Sequence, residues 1–472
     1  MLKSAFKIIV KSYDMNYRQP WKHGDSLTAT GSGFAVEISI AGRNRRFIMT
    51  NWHVAREGTF IQIMKPNSDK LYEARLFNSA PEVDMALLEI DSKDEREFWD
   101  SVTIFPLGKV PMKGEPIHVV GFPLGGDNPS ITRGIVSRIN VSTYAKAINN
   151  LALQIDAAVN HGNSGGPAFD GVGKRIVGIA FAGMKNSEAI NFIIPVFTIR
   201  HYLERISKHN KFVGVCDLMI KFNIIQNQLM QKELLGEDRG VIITNVAPVG
   251  SCGLILQKHD IMTSIDDIPI SNDGTIIVDD QYEPSKNVKT MYEKVPYWHY
   301  IRMKHPGESV EITVLRDGKK QVKKCTLHII DWLVQRIDDR ISTEHFVLGG
   351  FVFLPLNYWH VFGPFTTPDD VVSKRNLIPY IHDVEKEFDD QQIIIVSETV
   401  PNVTTTGYNV INFRLHTVNG TEVKNLKHLQ QLCENTIGVA KFEFDYNALV
   451  LIDMNVARKN TAVVNEHLGV GS

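Results

Sequence analysis

Short apolar runs separated by turn residues recur through the first 200 or so positions, at a spacing that suits strands. The candidate strands are Ala5–Val10, Gly33–Ile40, Arg46–Met49, Phe60–Met64, Ala86–Ile90, Ile117–Gly121, Ile131–Ile139, Leu151–Ile155, Ile176–Phe181 and Phe192–Ile194. Two antiparallel barrels would use this supply. The period then changes. After Pro195, residues Val196, Ile199, Leu203 and Ile206 fall on one helical face, with Arg200, Glu204 and Arg205 off it. Strand-like runs return beyond residue 209, including Val241–Ile243 and Val310–Leu315, with a helix expected at about Tyr297–Lys304. An insertion around Asp273–Pro296 precedes that helix, and its proline and acidic residues read as a loop. In the last third, Asn419-Gly420 makes a hairpin turn, and Leu426, Leu429 and Leu432 have helical spacing. The stretch 461–472 reads as a tail.

Composition narrows the class. The chain has 472 residues, room for about three domains at ~150 residues each. Its 43% apolar and 22% charged residues are ordinary for a globular protein, and its net charge of −2 lacks the basic field of a nucleic-acid or acidic-membrane binder. No run approaches the ~18 apolar residues that span a bilayer. The apolar stretch in Met1–Lys11 is too short and too lysine-punctuated for a signal peptide, and reads as a first strand. Cys216, Cys252, Cys325 and Cys433 are scattered without metal spacing, so they are expected reduced, buried and non-catalytic. No metal and no cofactor is expected, and no Walker motif couples the chain to ATP.

The chemistry centres on Asn160-His161-Gly162-Asn163-Ser164-Gly165-Gly166-Pro167. A serine ringed by glycines can stand proud of a tight turn, whose backbone N–H groups converge where an oxyanion would form. His53 follows an apolar strand in Ile48-Met49-Thr50-Asn51-Trp52-His53-Val54, and Asp84 heads another in Val83-Asp84-Met85-Ala86-Leu87-Leu88. The order His, Asp, Ser is that of the chymotrypsin type rather than the subtilisin or α/β-hydrolase types.

Gly31-Ser32-Gly33-Phe34, Thr50-Asn51-Trp52-His53-Val54, Asp84-Met85-Ala86-Leu87-Leu88 and Gly162-Asn163-Ser164-Gly165-Gly166-Pro167 together resemble the Deg/HtrA family of serine proteases. Val418–Leu426 and Phe444-Asp445-Tyr446 resemble its plant-type branch with two PDZ domains. The resemblance implies a mainly β chain: a chymotrypsin-like double β-barrel protease domain (1–208), a PDZ-like α+β domain (209–332), a divergent second one (333–460) and the tail. The helix after Pro195 would close the second barrel. Gly121–Ser137 resembles the loop-and-strand segment beside the active site, part of it an activation region in the family; a plain hairpin loop is the equal alternative.

The expected activity is an ATP-independent serine endopeptidase acting on unfolded or selected proteins. Ser164 is the expected nucleophile, His53 the general base and then acid, and Asp84 the residue that fixes the imidazole tautomer. Gly162 and Ser164 would donate N–H groups to the oxyanion, with Asn163 shaping the turn. By resemblance Ala158 lies at the base of the S1 pocket, opposite Ile179, Ala180 and Phe181, whose backbone would pair with substrate. With no acid at that base, a small-to-medium aliphatic P1 residue is expected. Arg239-Gly240-Val241-Ile242 would form the first carboxylate-binding loop, and Leu348–Phe353 the second, to which no ligand is assigned. Trp52 and His161 depart from the family pattern, and an oxyanion turn that awaits substrate or a PDZ ligand is expected from them. The alternative is a catalytically idle peptide-binding chaperone or scaffold. The family implies a homo-oligomer, a trimer or multiple of trimers, with peptide or protein substrates, no nucleic acid and no membrane span. Cytoplasmic location is expected, with the nucleus or export without a cleavable signal as alternatives.

Overall fold

In the computed structural model, described for all residues except 125, 145–147, 184–189, 237–238, 280–291, 337–343, 364–373, 383–384 and 471–472, the alternation closes into barrels. The first barrel contains β1 (Ala5–Met15), β2 (His23–Ile40), β3 (Arg43–Thr50), β4 (Gly58–Met64), β5 (Leu71–Ala80) and β6 (Met85–Ile90). The second contains β7 (Pro116–Gly121), β8 (Ser130–Tyr144), β9 (Ile148–Ile155), β10 (Pro167–Asp170), β11 (Ile176–Gly183) and β12 (Asn191–Pro195). Their orders are β1-β2-β3-β6-β5-β4 and β10-β11-β12-β9-β8-β7, each closed on itself. Phe6, Ile8 and Val10, Ile61 and Ile63, and Ala86, Leu88 and Ile90 alternate inward to fill the first core. Ile117 and Val119 with Leu153, Ile155 and Ala157 do the same in the second.

Two strands were not legible in the pattern. β5 has charged residues on a half-exposed face, and β10 is only four residues long, directly after the Gly-Gly turn. Two short helices, α1 (Trp52–Ala55) and α2 (Glu95–Trp99), decorate the first barrel, and α3 (Val196–His209) packs on the second. Val196, Ile199, Leu203 and Ile206 are buried on α3 as expected. Arg205, expected outside that face, is fully buried. Its Nη2 donates to the carbonyls of Arg302 and Lys304 at 3.3 and 2.5 Å, which offsets part of its desolvation.

Downstream, β14 (Ile220–Ile224), β15 (Val241–Val246), β16 (Ile261–Ile265), β20 (Ser309–Arg316) and β21 (Lys319–Thr326) form one sheet in that order, with β17 (Ile268–Pro269) paired to β16. A two-stranded ribbon, β13 (Cys216–Asp217) with β22 (His328–Ile329), lies beside it. The insertion expected as a loop is a β-hairpin at its base: β18 (Thr275–Asp279) pairs with β19 (Tyr292–Pro296) from Thr275↔Pro296 to Asp279↔Tyr292. Its middle, 280–291, lies outside the described residues. The helix that follows is Tyr297–Arg302.

The remaining strands are β23 (Phe346–Leu348), β24 (Phe351–Pro355) and β25 (Ile394–Thr399) in one sheet. β26 (Leu415–Val418), β27 (Thr421–Glu422), β28 (Val439–Phe444) and β29 (Leu449–Asp453) form another, with helix Leu426–Asn435. The tail expected at 461–472 is instead mostly helix, Met454–Leu468, with Val464 and Leu468 buried. The Asp453 carboxylate caps it, accepting from the N–H groups of Asn455 and Val456.

The chain divides into two compact units. One comprises Met1–Tyr13, Ser26–Val246 and Ile255–Ile330; the other, Asp14–Asp25, Ala247–Leu254 and Asp331–Ser472. The sheet of β14 to β21 thus belongs to the same compact unit as the barrels. Among the described residues, no helix is long and apolar enough to cross a membrane.

Candidate active site

His53 sits in α1, one short turn beyond the buried end of β3. Asp84 follows a 3₁₀ turn, Pro81–Val83, and takes a left-handed backbone conformation, φ 52° and ψ 47°. An aspartate tolerates that region better than a bulky residue does. Asn51 Nδ2 donates to the Asp84 carbonyl at 3.0 Å and holds the turn against β3. The Asp84 carboxylate then clasps His53 twice. Oδ1 accepts from the His53 backbone N–H at 3.0 Å, and Nδ1 lies 2.8 Å from Oδ2 and 3.1 Å from Oδ1. The Asp84 side chain is 1% exposed and His53 34%. A buried acceptor-only carboxylate places the imidazole proton on Nδ1, leaving Nε2 as the basic nitrogen.

Ser164 stands on the glycine-rich turn of the second barrel. Its Oγ donates to the Phe181 carbonyl at 3.4 Å, and among the described residues no hydrogen bond joins it to His53. Gly162 has φ +96° and Gly165 +86°, values that side-chain-bearing residues rarely adopt. The His161 carbonyl accepts from the Leu124 N–H at 2.9 Å. In a trans peptide the Gly162 N–H must then point the opposite way. The Gly162 carbonyl accepts from Ser32 Oγ at 2.7 Å. Asn163 N–H is spent on Asn160 O at 2.9 Å, whereas the N–H groups of Gly162 and Ser164 have no acceptor among the described residues. His161 itself is exposed. Trp52 is 2% exposed, so the indole finds room inside the fold, with Arg56 over its ring at 5.6 Å.

The expected pocket residues behave differently from one another. Ala158 is exposed, and its carbonyl accepts from Thr132 Oγ1 at 2.8 Å. Ile179 and Ala180 are corrected as substrate-pairing positions: they pair with Ile194 and Ile193 on one side. On the other, Ile179 pairs with Pro167, and Ala180 exchanges bonds with Gly165 and Gly166 at 2.7 and 2.9 Å. Among the described residues, the edge of β11 on its β10 side is without a strand partner from Phe181 onward. That ring packs 4.7 Å from Tyr144, a fully buried residue whose hydroxyl donates to the Leu151 carbonyl. Burial, reinforced by the Asp84 charge, holds the Tyr144 phenol well above its usual pKa, so it remains a neutral donor beside the carboxylate.

Both carboxylate-loop assignments are corrected by strand order. Val241 and Ile242 lie in β15 with neighbours on both sides, and the Gly240 N–H is spent on Asn272 Oδ1 at 3.1 Å. In that sheet β14 and β21 are the end strands, and on β14 Phe222 packs 5.4 Å from Tyr297 of the following helix. In the second module β24 is also flanked on both sides, by β23 and β25. There the Gly349 N–H donates to Thr461 Oγ1 of the C-terminal helix at 2.9 Å.

Ser32, Thr50, Asn51 and Leu124, which lay in the quoted motifs and loop without an assigned role, complete the site together with Tyr144, which the sequence did not single out.

Comparison with known proteins agrees with this architecture. The trypsin-like peptidase domain family matches residues 31–179, and the PDZ domain family matches 335–470. Putative protease Do-like 3, mitochondrial, of Arabidopsis thaliana is 30% identical over 476 residues, covering 100% of this chain and 79% of that protein. Protease Do-like 4, mitochondrial, of the same plant is 31% identical over 452 residues, covering 95% and 80%. Among solved structures, the HtrA-type protease AlgW with decapeptide matches in fold with a TM-score of 0.51 at 21% identity, covering 70% of this chain and 96% of that one.

Proposed function

The chain belongs to the Deg/HtrA family of serine proteases and is a serine endopeptidase, and from that premise we propose that Ser164, His53 and Asp84 are its catalytic residues. The observation that carries this reading is the double clasp of Asp84 on the His53 backbone N–H and Nδ1. Ser164 Oγ turns from the Phe181 carbonyl to His53 Nε2, loses its proton there and attacks the scissile carbonyl. The imidazolium is stabilised by Asp84 and returns the proton to the leaving amine. The oxyanion is received by the Gly162 and Ser164 N–H groups, which the turn leaves free. Water then repeats the sequence on the acyl-enzyme.

Substrate adds a strand to β11 from Phe181 onward, where the edge is open. Ala158 closes an S1 pocket without an acid, and a small-to-medium aliphatic P1 residue is preferred. Substrates are unfolded or selected proteins, cleaved without ATP, by a homo-oligomer of trimeric type. The first PDZ-like module takes peptide on the free edge of β14, in keeping with its place at the end of the sheet.

Intact-mass spectrometry after a fluorophosphonate tests the assignment, with Ser164→Ala as control. One adduct on the wild type and none on the variant supports it. An adduct on both, or full peptidase activity in Ser164→Ala, removes Ser164 from the reaction. A wild type that neither labels nor cleaves, with unfolded protein present, returns the chain to the scaffold reading.

A further inference from the structure

We infer that Ser32 is a positioning residue for the oxyanion turn: its hydroxyl, donated from the first barrel, locks the Gly162 peptide of the second. The inference rests on the reading of Ser164 as nucleophile. Ser32 lies in β2 and is 0% exposed. Each of its polar groups is committed. Oγ donates to the Gly162 carbonyl at 2.7 Å and accepts from the Phe122 N–H at 2.8 Å. Its N–H donates to the Ser164 carbonyl at 2.8 Å. Its own carbonyl accepts from Thr50 Oγ1 at 2.7 Å, on the strand that leads to His53.

This arrangement fixes Gly162 from both sides. The peptide before it is held directly by Leu124, through the His161 carbonyl at 2.9 Å. The peptide after it is held by Ser32, whose hydroxyl is itself oriented by Phe122 of the same loop. One loop therefore sets the two peptide planes that aim the Gly162 N–H, once directly and once through a single hydroxyl. Ser32 also grips the Ser164 carbonyl, so both oxyanion donors belong to residues that it touches. Among the described residues, no other hydrogen bond ties the first barrel to this turn at the nucleophile itself.

Removing the hydroxyl leaves a buried carbonyl and a buried N–H without partners, and the cheapest relief is rotation of the Gly162–Asn163 peptide. The loss falls on charge that develops in the transition state, while the ground-state contacts on β11 remain. Ser32 touches no substrate, and His53 lies outside its hydrogen bonds, so the pH dependence is untouched.

The test uses the full chain and a peptide substrate. Ser32→Ala should lower kcat about ten- to a hundredfold, less than outright removal of an oxyanion donor, with KM changed less than about threefold. Inhibition by a peptide aldehyde, which forms a tetrahedral adduct, should weaken by the same factor. Binding of the product peptide and the pH profile should be those of wild type. Ser32→Cys, which keeps the volume with a poorer donor, should fall between, and supplies the comparison if the alanine variant does not fold. A kcat within about twofold of wild type in the alanine and cysteine variants overturns the inference. So does a loss shared equally by product-peptide binding, which marks a general structural role. Full activity in Ser164→Ala would instead overturn the protease reading itself, whereas an inactive Ser164→Ala beside an unaffected Ser32→Ala sinks only this inference.

Discussion

At the scale of single residues, the site depends on two backbone conformations that few side chains tolerate. Asp84 is left-handed, and that is what lets one carboxylate meet both the His53 backbone and its ring. Asp84→Asn keeps the shape but offers an amide to Nδ1, which favours the tautomer with its proton on Nε2. Initial-rate kinetics should show kcat lowered by about 10⁴-fold, with little change in melting temperature. At Gly165, φ is +86° and an added Cβ would lie 2.1 Å from the Ser32 carbonyl oxygen and 2.2 Å from Thr50 Oγ1. The Ser32 carbonyl, a backbone group, cannot step aside there. Gly165→Ala should therefore cost about 3 kcal/mol or more in urea unfolding, and activity with it.

At the scale of elements, strand order decides which edges remain usable. β15 and β24 carry glycine-then-apolar sequences that read as ligand strands, yet each lies inside its sheet. β14 is an end strand of its sheet, as β21 is at the other end, and the C-terminal helix spends Thr461 on the Gly349 N–H. Thr461→Val leaves that N–H without its acceptor and should destabilise the protein by about 1–3 kcal/mol in urea unfolding, at unchanged shape. The helix Tyr297–Arg302 is anchored by Arg302, which donates to the Asn149 carbonyl on β9 and pairs with Asp217 at 3.2 Å. Asn150, the next residue of β9, donates to the Glu82 carbonyl at 2.7 Å, in the turn that shapes Asp84.

At the scale of the whole molecule, each compact unit holds a histidine in its neutral form. His201 is 7% exposed on α3, and burial, with Arg205 and His305 nearby, lowers its pKa to about 3. His360, 2% exposed in the second unit, is lowered by burial to about 4, although Asn412 Oδ1 lies 3.0 Å from its Nε2. Both start from an ordinary value of 6.5. Below that value the unfolded chain gains protons that the folded chain refuses, so folding weakens as pH falls. The stability these groups contribute is complete above about pH 6.5 and is lost progressively down to about pH 3 to 4. Thermal melts between pH 7 and pH 4 should fall continuously, and His360→Gln should flatten that slope for the second unit.

The sequence by itself determined the double-barrel class, the face of α3 and the identities of Ser164, His53 and Asp84 as candidates. These signals are local: a strand alternates, a helix repeats, and a reactive serine needs glycines beside it. Arg205 shows where such reasoning ends, because its burial depends on carbonyls about a hundred residues away. β10 was too short to show a period, and the tail became a helix because Val464 and Leu468 have a core to enter. The unpaired edges of β11 and β14, and the grip of Ser32 on the turn, were decided only by tertiary structure. Which edge of a strand is free, and which distant carbonyl a hydroxyl meets, are properties of neighbours that no periodicity records.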